Sequence, residues 1–482
     1  MSELKEKTAK GLLWGGFGYG MMQVLNLVFG IFLSRLLNPS DYGIVGALTI
    51  FSALAVIFSE SGFLLAIVNK KSISRIDYDS VFWFNVAMSL TLYSVLWVCA
   101  PLIARFYSQP EMVPLSRFIF IGFVASALSS TPSAYFFRNL NVKTRTKSQL
   151  IALGLSGVAG VTTAFAGMGY WAIAIQTVTY TGFNSLLLWV QCPWRPRFSF
   201  SFPALKEMLP FSLKQLAVSV FTQFNNNIFS VLLGRFYGMK ITGYYTQGNK
   251  WTSMGTVTIS GMLLGVGQPV LRQTIDDRER LHRVFRRLLR FTCLVSFPAM
   301  FGLDIVSREF IVILITDKWL DSVSVMQILC IGGAFLPLST LYGNLFNSIG
   351  RPGIYMWNTI ILGGLQTLSL CLTYRLGLTT MLIVYTIINI LWVGVWQIMA
   401  RRETGLKTRL VIADIVPYLL MAGIVMGGVA IITAPIESLW LKLATKVILG
   451  GGLYIVAVRL FRPDDFKEAI DFIRHKTLTH KS

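Results

Sequence analysis

Charged residues are scarce in this sequence, and acidic ones are the scarcest. Only 13% of the 482 residues are charged, 22 acids stand against 43 lysines and arginines, and 54% of the chain is hydrophobic. Soluble proteins carry about a quarter charged residues, and no stretch here has ordinary globular composition over a domain's length. The shortage of charge excludes a soluble fold and predicts an all-α polytopic membrane protein.

Cysteine and histidine motifs are lacking as well. The five cysteines lie in or beside apolar segments without a Cys-x-x-Cys pair, and the three histidines lie in polar, basic stretches. These patterns exclude a disulfide framework and do not have the spacing of metal ligands. We therefore predict no metal site and no cofactor.

Apolar runs, in contrast, fill the chain. Each run of about twenty residues is long enough to cross a hydrocarbon core of about 30 Å as a helix. The first run is too long for a signal peptide and lacks a small-x-small cleavage site, so we expect it to stay as an uncleaved span. We predict fourteen spans, near 11–37, 42–69, 80–104, 115–137, 148–168, 170–191, 209–235, 242–268, 289–306, 323–348, 354–375, 377–399, 411–433 and 438–459.

The basic residues predict the orientation. With a cytoplasmic N-terminus, 31 lysines and arginines fall in inner segments and 10 in outer ones. Cytoplasmic loops carry such an excess, which places both termini inside. The same rule explains the formal net charge of +21, so we predict no nucleic-acid partner. The inner loop 271–290 and the tail from Pro463 to His475 have the pattern of surface-lying amphipathic helices.

The region around the end of the first span recurs in the sequence. FGIFLSRLLNPSDYG (29–43) aligns with FSVLLGRFYGMKITG (229–243) at an offset of 200, and IGFVASALSS (121–130) aligns more loosely with IGGAFLPLST (331–340) at an offset of 210. Two parallel copies of a six-span unit are the simplest interpretation. We therefore predict an N-terminal lobe at 1–208, a C-terminal lobe at 209–402, two further spans at 403–461 and an amphipathic cytoplasmic tail at 462–482.

Few charges lie within the predicted spans. A lipid-exposed charge at mid-bilayer costs about 2.5–3.5 kcal/mol, so such groups should face a cavity or a partner. Lys250 lies deep in span eight and either faces a cavity or forms a structural ion pair, whereas Lys214 is close enough to the inner end of span seven to reach the surface. Glu60 in span two is either a structural counterion or an ion-coupling group.

Amides and arginines complete the set of candidate binding residues. Asn26, Asn225, Asn226 and their neighbour Asn227 are predicted at mid-membrane, where they either bond between helices or bind sugar hydroxyls in a hydrated cavity. The repeat-related pair Arg35 and Arg235 lies at the outer ends of spans one and seven. These arginines either flank the exit of an anionic substrate or anchor the helix ends to lipid headgroups. A cavity lined in this way suits an anionic headgroup that carries sugars.

Four segments resemble one known family. LSRLLNPSDYGIVGALTIF (33–51), SESGFLLAIVNKKSIS (59–74), FPAMFGLDIVSREFIVILITDKW (297–319) and NSIGRPGIY (347–355) are similar, in order and spacing, to the polysaccharide exporters of the multidrug/oligosaccharidyl-lipid/polysaccharide (MOP) superfamily. Within that superfamily the sequence most resembles the Wzx-type O-antigen and colanic acid flippases.

That resemblance implies both a fold and a function. The fold is two helical lobes forming a V around a central cationic cavity. The function is alternating access that carries an undecaprenyl-diphosphate-linked oligosaccharide across the bacterial inner membrane. Besides this substrate and membrane lipids, a polymerase and a chain-length regulator of the same pathway are possible partners. The resemblance does not assign individual binding residues.

Two alternatives stay open at this point. A cation-coupled multidrug efflux antiporter of the same superfamily usually has an acid in its first and seventh spans, and neither span has one here. A membrane polymerase or ligase needs a catalytic group on the outer face, yet the outer loops are short and contain no histidine. We therefore favour a transporter that is not an enzyme.

Overall fold

Long apolar helices make up most of the chain. The computed structural model describes the backbone of residues 2–60, 63, 66–67, 70 and 72–467, and side chains from residue 14 onward except 59–62, 64–65, 68–69, 71, 211, 214–215, 218, 262–266, 269 and 468–482. The helices are α1 (Ser2–Leu36), α2 (Pro39–Glu60), α3 (Arg75–Tyr107), α4 (Met112–Arg138), α5 (Val142–Phe165), α6 (Trp171–Gln191), α7 (Phe202–Phe236), α8 (Met239–Arg272), α9 (Arg278–Ile315), α10 (Asp321–Gly333), α11 (Leu336–Ser348), α12 (Pro352–Thr373), α13 (Leu378–Thr404), α14 (Thr408–Ile432) and α15 (Leu439–Phe461).

The predicted all-α membrane class is confirmed. Within the described residues, nine segments are long and apolar enough to cross a membrane: α1 to α5, the α10–α11 pair, and α13 to α15. The exact number of fourteen spans stays a prediction. Two short 3-10 turns, at Asp317–Trp319 and Tyr374–Leu376, precede α10 and α13.

The chain forms two compact units, residues 1–243 and 244–482. In the first, α4 packs against α3 and α6, α5 packs against α6 and α1, and α2 packs against α7. Its core includes the fully buried rings of Phe120 and Phe123. The predicted lobe boundary at 208/209 stays a prediction.

In the second unit, α9 is the central helix. It packs against α10, α14 and α15, while α13 packs against α10 and α12. The last two helices, predicted as spans appended after the second half, are therefore in direct contact with that half. Burial of Phe285, Phe297 and Tyr342 marks the core of this unit.

Predicted span ten is interrupted at Ala334 and Phe335. Pro337 lies in the first turn of α11, and because proline has no backbone N–H, it removes one helical hydrogen bond. The hydroxyl of Ser296 on α9 donates to the carbonyl of Ala334 at 2.7 Å. A neighbouring side chain thus satisfies a carbonyl at the break, as apolar surroundings require.

Reciprocal glycine contacts relate the two copies of the repeat. A Cβ atom on Gly43 would lie 1.7 Å from the carbonyl oxygen of Met239, and a Cβ atom on Gly243 would lie 1.7 Å from that of Pro39. Both pairs are related by the offset of 200. Two helix starts therefore touch backbone to backbone, which only glycine permits at this distance.

The looser repeat also has matched contacts, one within each unit. A Cβ atom on Gly122 of α4 would lie 3.3 Å from the Thr181 hydroxyl on α6, and one on Gly332 of α10 would lie 3.2 Å from the Thr386 methyl on α13. Gly122 and Gly332 are the second residues of the two aligned segments. The partner threonines are 205 and not 210 residues apart, so the contacts are similar in kind, and duplication of the whole six-span unit stays a prediction.

The predicted surface-lying helices differ from what the structure shows. Residues 278–290 do not form a helix of their own, because α9 runs without interruption from Arg278 to Ile315. It begins where the Asp277 side chain accepts a hydrogen bond from the backbone N–H of Arg280. In the tail, residues 463–467 are helical, and the rest of the predicted tail helix lies outside the described residues.

Candidate functional site

Lys250 lies well inside α8, eleven residues after its start, which corresponds to about 16 Å at 1.5 Å per residue. Its side chain is half-buried, and the ammonium lies 5.1 Å from the ring centroid of Trp251. Trp251 is buried and packs edge-on against Phe310 of α9, with the centroids 5.3 Å apart. A cation over a fixed aromatic ring gains about 0.5–2 kcal/mol, so packing holds this charge in a defined place.

The asparagines on α7 divide into two groups. Asn227 bonds between helices, because Thr49 of α2 donates a hydrogen bond to its carbonyl oxygen at 3.1 Å. Its amide also donates to the backbone oxygen of Gln223 at 2.9 Å. Asn226 is exposed and Asn225 is half-buried. Asn227 therefore links α2 to α7.

Asn26 and Asn226, related by the offset of 200, are both exposed. Each presents an amide that can donate to and accept from a hydroxyl. Both lie in the unit of residues 1–243, whereas Lys250 lies in the other unit. The assignment of these residues to one binding site stays a prediction.

The two repeat-related arginines are exposed at helix ends. Arg235 donates from Nη1 to the carbonyl oxygen of Phe106 at 2.5 Å, and its guanidinium lies 5.3 Å from the Phe106 ring centroid. It therefore joins the end of α7 to the end of α3. Arg35 lies in the last turn of α1. The side chains of the two other predicted site residues, Lys214 and Glu60, lie outside the described residues.

A buried ion pair was not predicted from the sequence. The Lys446 ammonium of α15 lies 2.8 and 2.9 Å from the two carboxylate oxygens of Glu309 on α9, and donates to the carbonyl oxygen of Ile305 at 2.7 Å. Both side chains are more than nine-tenths buried. Predicted span nine ends at residue 306, before Glu309, and Lys446 lies within predicted span fourteen, 438–459. The only signal was a lysine eight residues into an apolar run.

A second ion network joins α9, α14 and the segment after α15. Arg286 donates to both carboxylate oxygens of the buried Asp414, at 2.6 and 3.1 Å. Arg290 lies 3.5 Å from Asp414 and 3.0 Å from Asp465, and the Tyr418 hydroxyl bonds to Asp465. The basic residues of the inner loop therefore also hold helices together, a role that the sequence did not reveal.

The Asp414→Asn variant should lower the free energy of unfolding by about 2 kcal/mol, because two partly buried arginines lose their carboxylate. Thermal unfolding in detergent would measure the change. The matched control is Asp276→Asn, at an exposed loop position, which should unfold like the wild type. Equal midpoints for the two variants would contradict a stabilising role for the network.

The second unit also has an apolar groove of about 600 Å³ between α9 and α15. Its lining is almost wholly hydrocarbon, including Leu294, Pro298, Leu303 and Ile455, with Lys446 as a polar exception. Such a surface accommodates an apolar chain and offers few partners to a sugar.

The chain is similar to proteins that are described by their part in polysaccharide biosynthesis. A family model described as polysaccharide biosynthesis protein matches residues 32–324. The lipopolysaccharide biosynthesis protein WzxC of Escherichia coli K12 is 25% identical over 73% of this chain and 72% of its own. The succinoglycan biosynthesis transport protein ExoT of Rhizobium meliloti is 24% identical over 92% of this chain and 90% of its own.

Solved structures share the fold. The lipid II flippase MurJ in an inward closed conformation superposes with a TM-score of 0.76 at 14% identity, covering 94% of this chain and 99% of its own. A multidrug transporter of the MOP superfamily has the same architecture, so the predicted superfamily fold is confirmed. Because the matched family model spans more than half of the sequence, the chain belongs to the polysaccharide biosynthesis protein family.

Proposed function

We propose that this protein moves a lipid-linked oligosaccharide, carried on undecaprenyl diphosphate, across the bacterial inner membrane for surface polysaccharide synthesis. The observation that carries the proposal is the half-buried Lys250, eleven residues into a helix that the sequence predicts to span the membrane. The relatives named for lipopolysaccharide and succinoglycan synthesis support this substrate class. The substrate passes through a cationic cavity by alternating access.

The chemistry of the candidate residues fits such a substrate. A diphosphate carries charge that an ammonium or a guanidinium can bind, and the saccharide supplies hydroxyls for the exposed amides of Asn26 and Asn226. In this proposal Lys250 binds the diphosphate, and Arg35 and Arg235 lie where the anion leaves. Lys214 is a second, weaker contact near the inner surface, and Glu60 is a counterion or a coupling group.

The proposal includes the topology predicted from the basic residues. Both termini lie in the cytoplasm, because 31 of the lysines and arginines fall on that side. The protein acts as a transporter and not as an enzyme. Its product is handed to the polymerase and the chain-length regulator of the same pathway on the outer face.

Deletion of the gene tests the function in cells. The lipid-linked repeat unit should accumulate in the inner leaflet. Surface polysaccharide should fall, because the substrate of polymerisation does not reach the outer leaflet. Extraction and mass spectrometry of lipid-linked intermediates would measure this. Unchanged surface polysaccharide with no accumulated intermediate would contradict the proposal.

The Lys250→Ala variant should export polysaccharide about tenfold to a hundredfold more slowly than the wild type. A hydrogen bond to a charged group contributes about 1.5–3 kcal/mol, and each 1.4 kcal/mol is about a factor of ten. Lys250→Arg should retain most of the activity, and Lys214→Ala should cost less, since lipid headgroups can replace a contact near the surface. Export by Lys250→Ala at the wild-type rate and equal expression would remove it from the site.

A further inference from the structure

The segment between α6 and α7 is an extended strip attached to α3. The hydroxyl of Ser199 bonds to the Asp79 carboxylate at 2.7 Å, and the backbone N–H of Ser201 donates to the hydroxyl of Ser80 at 2.8 Å. The indole N–H of Trp83 donates to the carbonyl oxygen of Arg197 at 2.8 Å. Ser201 has extended backbone angles, with φ −128° and ψ 107°. The strip is therefore ordered by α3.

Three phenylalanines alternate with these serines. Because successive side chains of an extended chain point to opposite sides, Ser199 and Ser201 face α3 while Phe200 faces away from it, and Phe202 is the first residue of α7. The side chains of Phe198, Phe200 and Phe202 are 96%, 55% and 67% exposed. The ring of Phe198 also lies stacked near Trp83, with the centroids 4.8 Å apart. Three exposed phenylalanines thus lie within five residues, and we call this apolar segment the phenylalanine ridge.

The position and charge of the ridge indicate what covers it. It connects two predicted membrane spans, and Trp83 lies three residues inside predicted span three, so the ridge lies at the boundary between headgroups and acyl chains. Aromatic side chains are enriched at that boundary. The exposed Arg195, Arg197 and Lys206 flank the ridge, and cations beside an apolar face are typical of segments that bind anionic leaflets.

A lysine near the same segment is paired with two carboxylates. Lys70 lies 3.0 Å from Asp77 of α3 and 2.9 Å from Glu207 of α7. Burial by itself lowers the pKa of Lys70, but the hydrogen bonds to Glu207 and Asp77 raise it above its usual value. Lys70 thus joins the starts of α3 and α7, the two helices that the ridge contacts or continues into.

We propose that the phenylalanine ridge inserts into the inner leaflet as an interfacial anchor, with Phe198, Phe200 and Phe202 among the acyl chains and the flanking cations on anionic headgroups. The choice of the inner leaflet rests on the proposed topology, whereas the insertion itself rests only on the geometry of residues 195–206. The anchor keeps the α6–α7 connection at a fixed depth.

Spin-label accessibility tests the insertion. We would label Phe198→Cys, Phe200→Cys and Phe202→Cys singly, with the five native cysteines replaced by alanine, in nanodiscs containing anionic phospholipid. Val190→Cys, on the exposed face of α6, is the lipid reference, and Asp276→Cys, in an exposed loop, is the water reference. The ratio of oxygen to nickel-chelate accessibility is the measured quantity.

All three ridge positions should show a ratio several-fold above the Asp276→Cys reference and close to Val190→Cys. Ratios equal to the water reference would overturn the proposal, and so would low accessibility to both reagents, which indicates cover by protein. If the cysteine-free chain does not fold, p-cyanophenylalanine at position 198 of the native chain gives a second measurement. Its nitrile frequency should then be that of hydrocarbon, and a water-like frequency would overturn the insertion equally.

Discussion

The Gly43→Ala variant should fail to accumulate as a folded membrane protein. The new methyl group would lie 1.7 Å from the carbonyl oxygen of Met239, whereas carbon and oxygen atoms in contact are about 3.3 Å or more apart. The two helix starts would have to separate by about 1.5 Å. Neither the new Cβ atom nor the carbonyl oxygen of Met239 can rotate away, because the backbone fixes the position of both atoms. Fluorescence-detected size exclusion of a tagged protein would measure the loss.

The repeat makes a second, independent prediction. Gly243→Ala should have the same effect, since its methyl group would meet the carbonyl oxygen of Pro39 at the same distance. The control is Gly154→Ala on α5, where a Cβ atom would have no described neighbour within 4 Å. Alanine favours a helix over glycine by about 1 kcal/mol, so this control should be neutral or stabilising. Normal folding of both Gly43→Ala and Gly243→Ala would contradict the reciprocal contact.

The Glu309→Gln variant should lose about 3–5 kcal/mol of stability. This change leaves the buried ammonium of Lys446 without its carboxylate, and breaking a buried pair from one side costs about that amount. Lys446→Met should cost less, because a buried carboxylate can take up a proton and become neutral. The midpoint of thermal unfolding in detergent would give both values.

A double-mutant cycle separates the interaction energy between Glu309 and Lys446 from the effect of changing each side chain alone. Glu309→Gln combined with Lys446→Met should recover part of the stability, since neither charge is then left alone. The matched control is the exposed pair Glu279 and Arg283, whose oxygen and nitrogen are 3.6 Å apart. Glu279→Gln should change stability by less than about 0.5 kcal/mol. Additive effects of the two changes at the buried pair would show that the ions do not stabilise each other.

Much of the fold could be predicted from the sequence because its signals are local. Apolar runs predict spans, and the offset of 200 predicts the duplication that the contacts of Gly43 and Gly243 reflect. The apolar run 323–348 predicts one unbroken span, although Pro337 is a signal for the break at Ala334. The first turns of α9 are basic, and a charged run at a membrane surface predicts a separate helix where the structure has one uninterrupted helix.

The site was less predictable because side-chain direction depends on tertiary packing. Asn226 and Asn227 are neighbours with the same chemistry, yet one is exposed and the other bonds to α2. The pairing of Glu309 with Lys446 joins residues 137 apart in sequence, and no local pattern shows which helices will meet. Lys250 stands out in sequence because its depth follows from the length of one apolar run.

Transfer between leaflets in a purified system tests the central claim most directly. Proteoliposomes would contain an undecaprenyl-diphosphate-linked oligosaccharide in both leaflets, and a glycosidase added outside would cleave only exposed saccharide. With the wild-type protein the cleaved fraction should rise toward completion, and with Lys250→Ala it should rise more slowly. A cleaved fraction that stays at the level of protein-free liposomes would contradict the account.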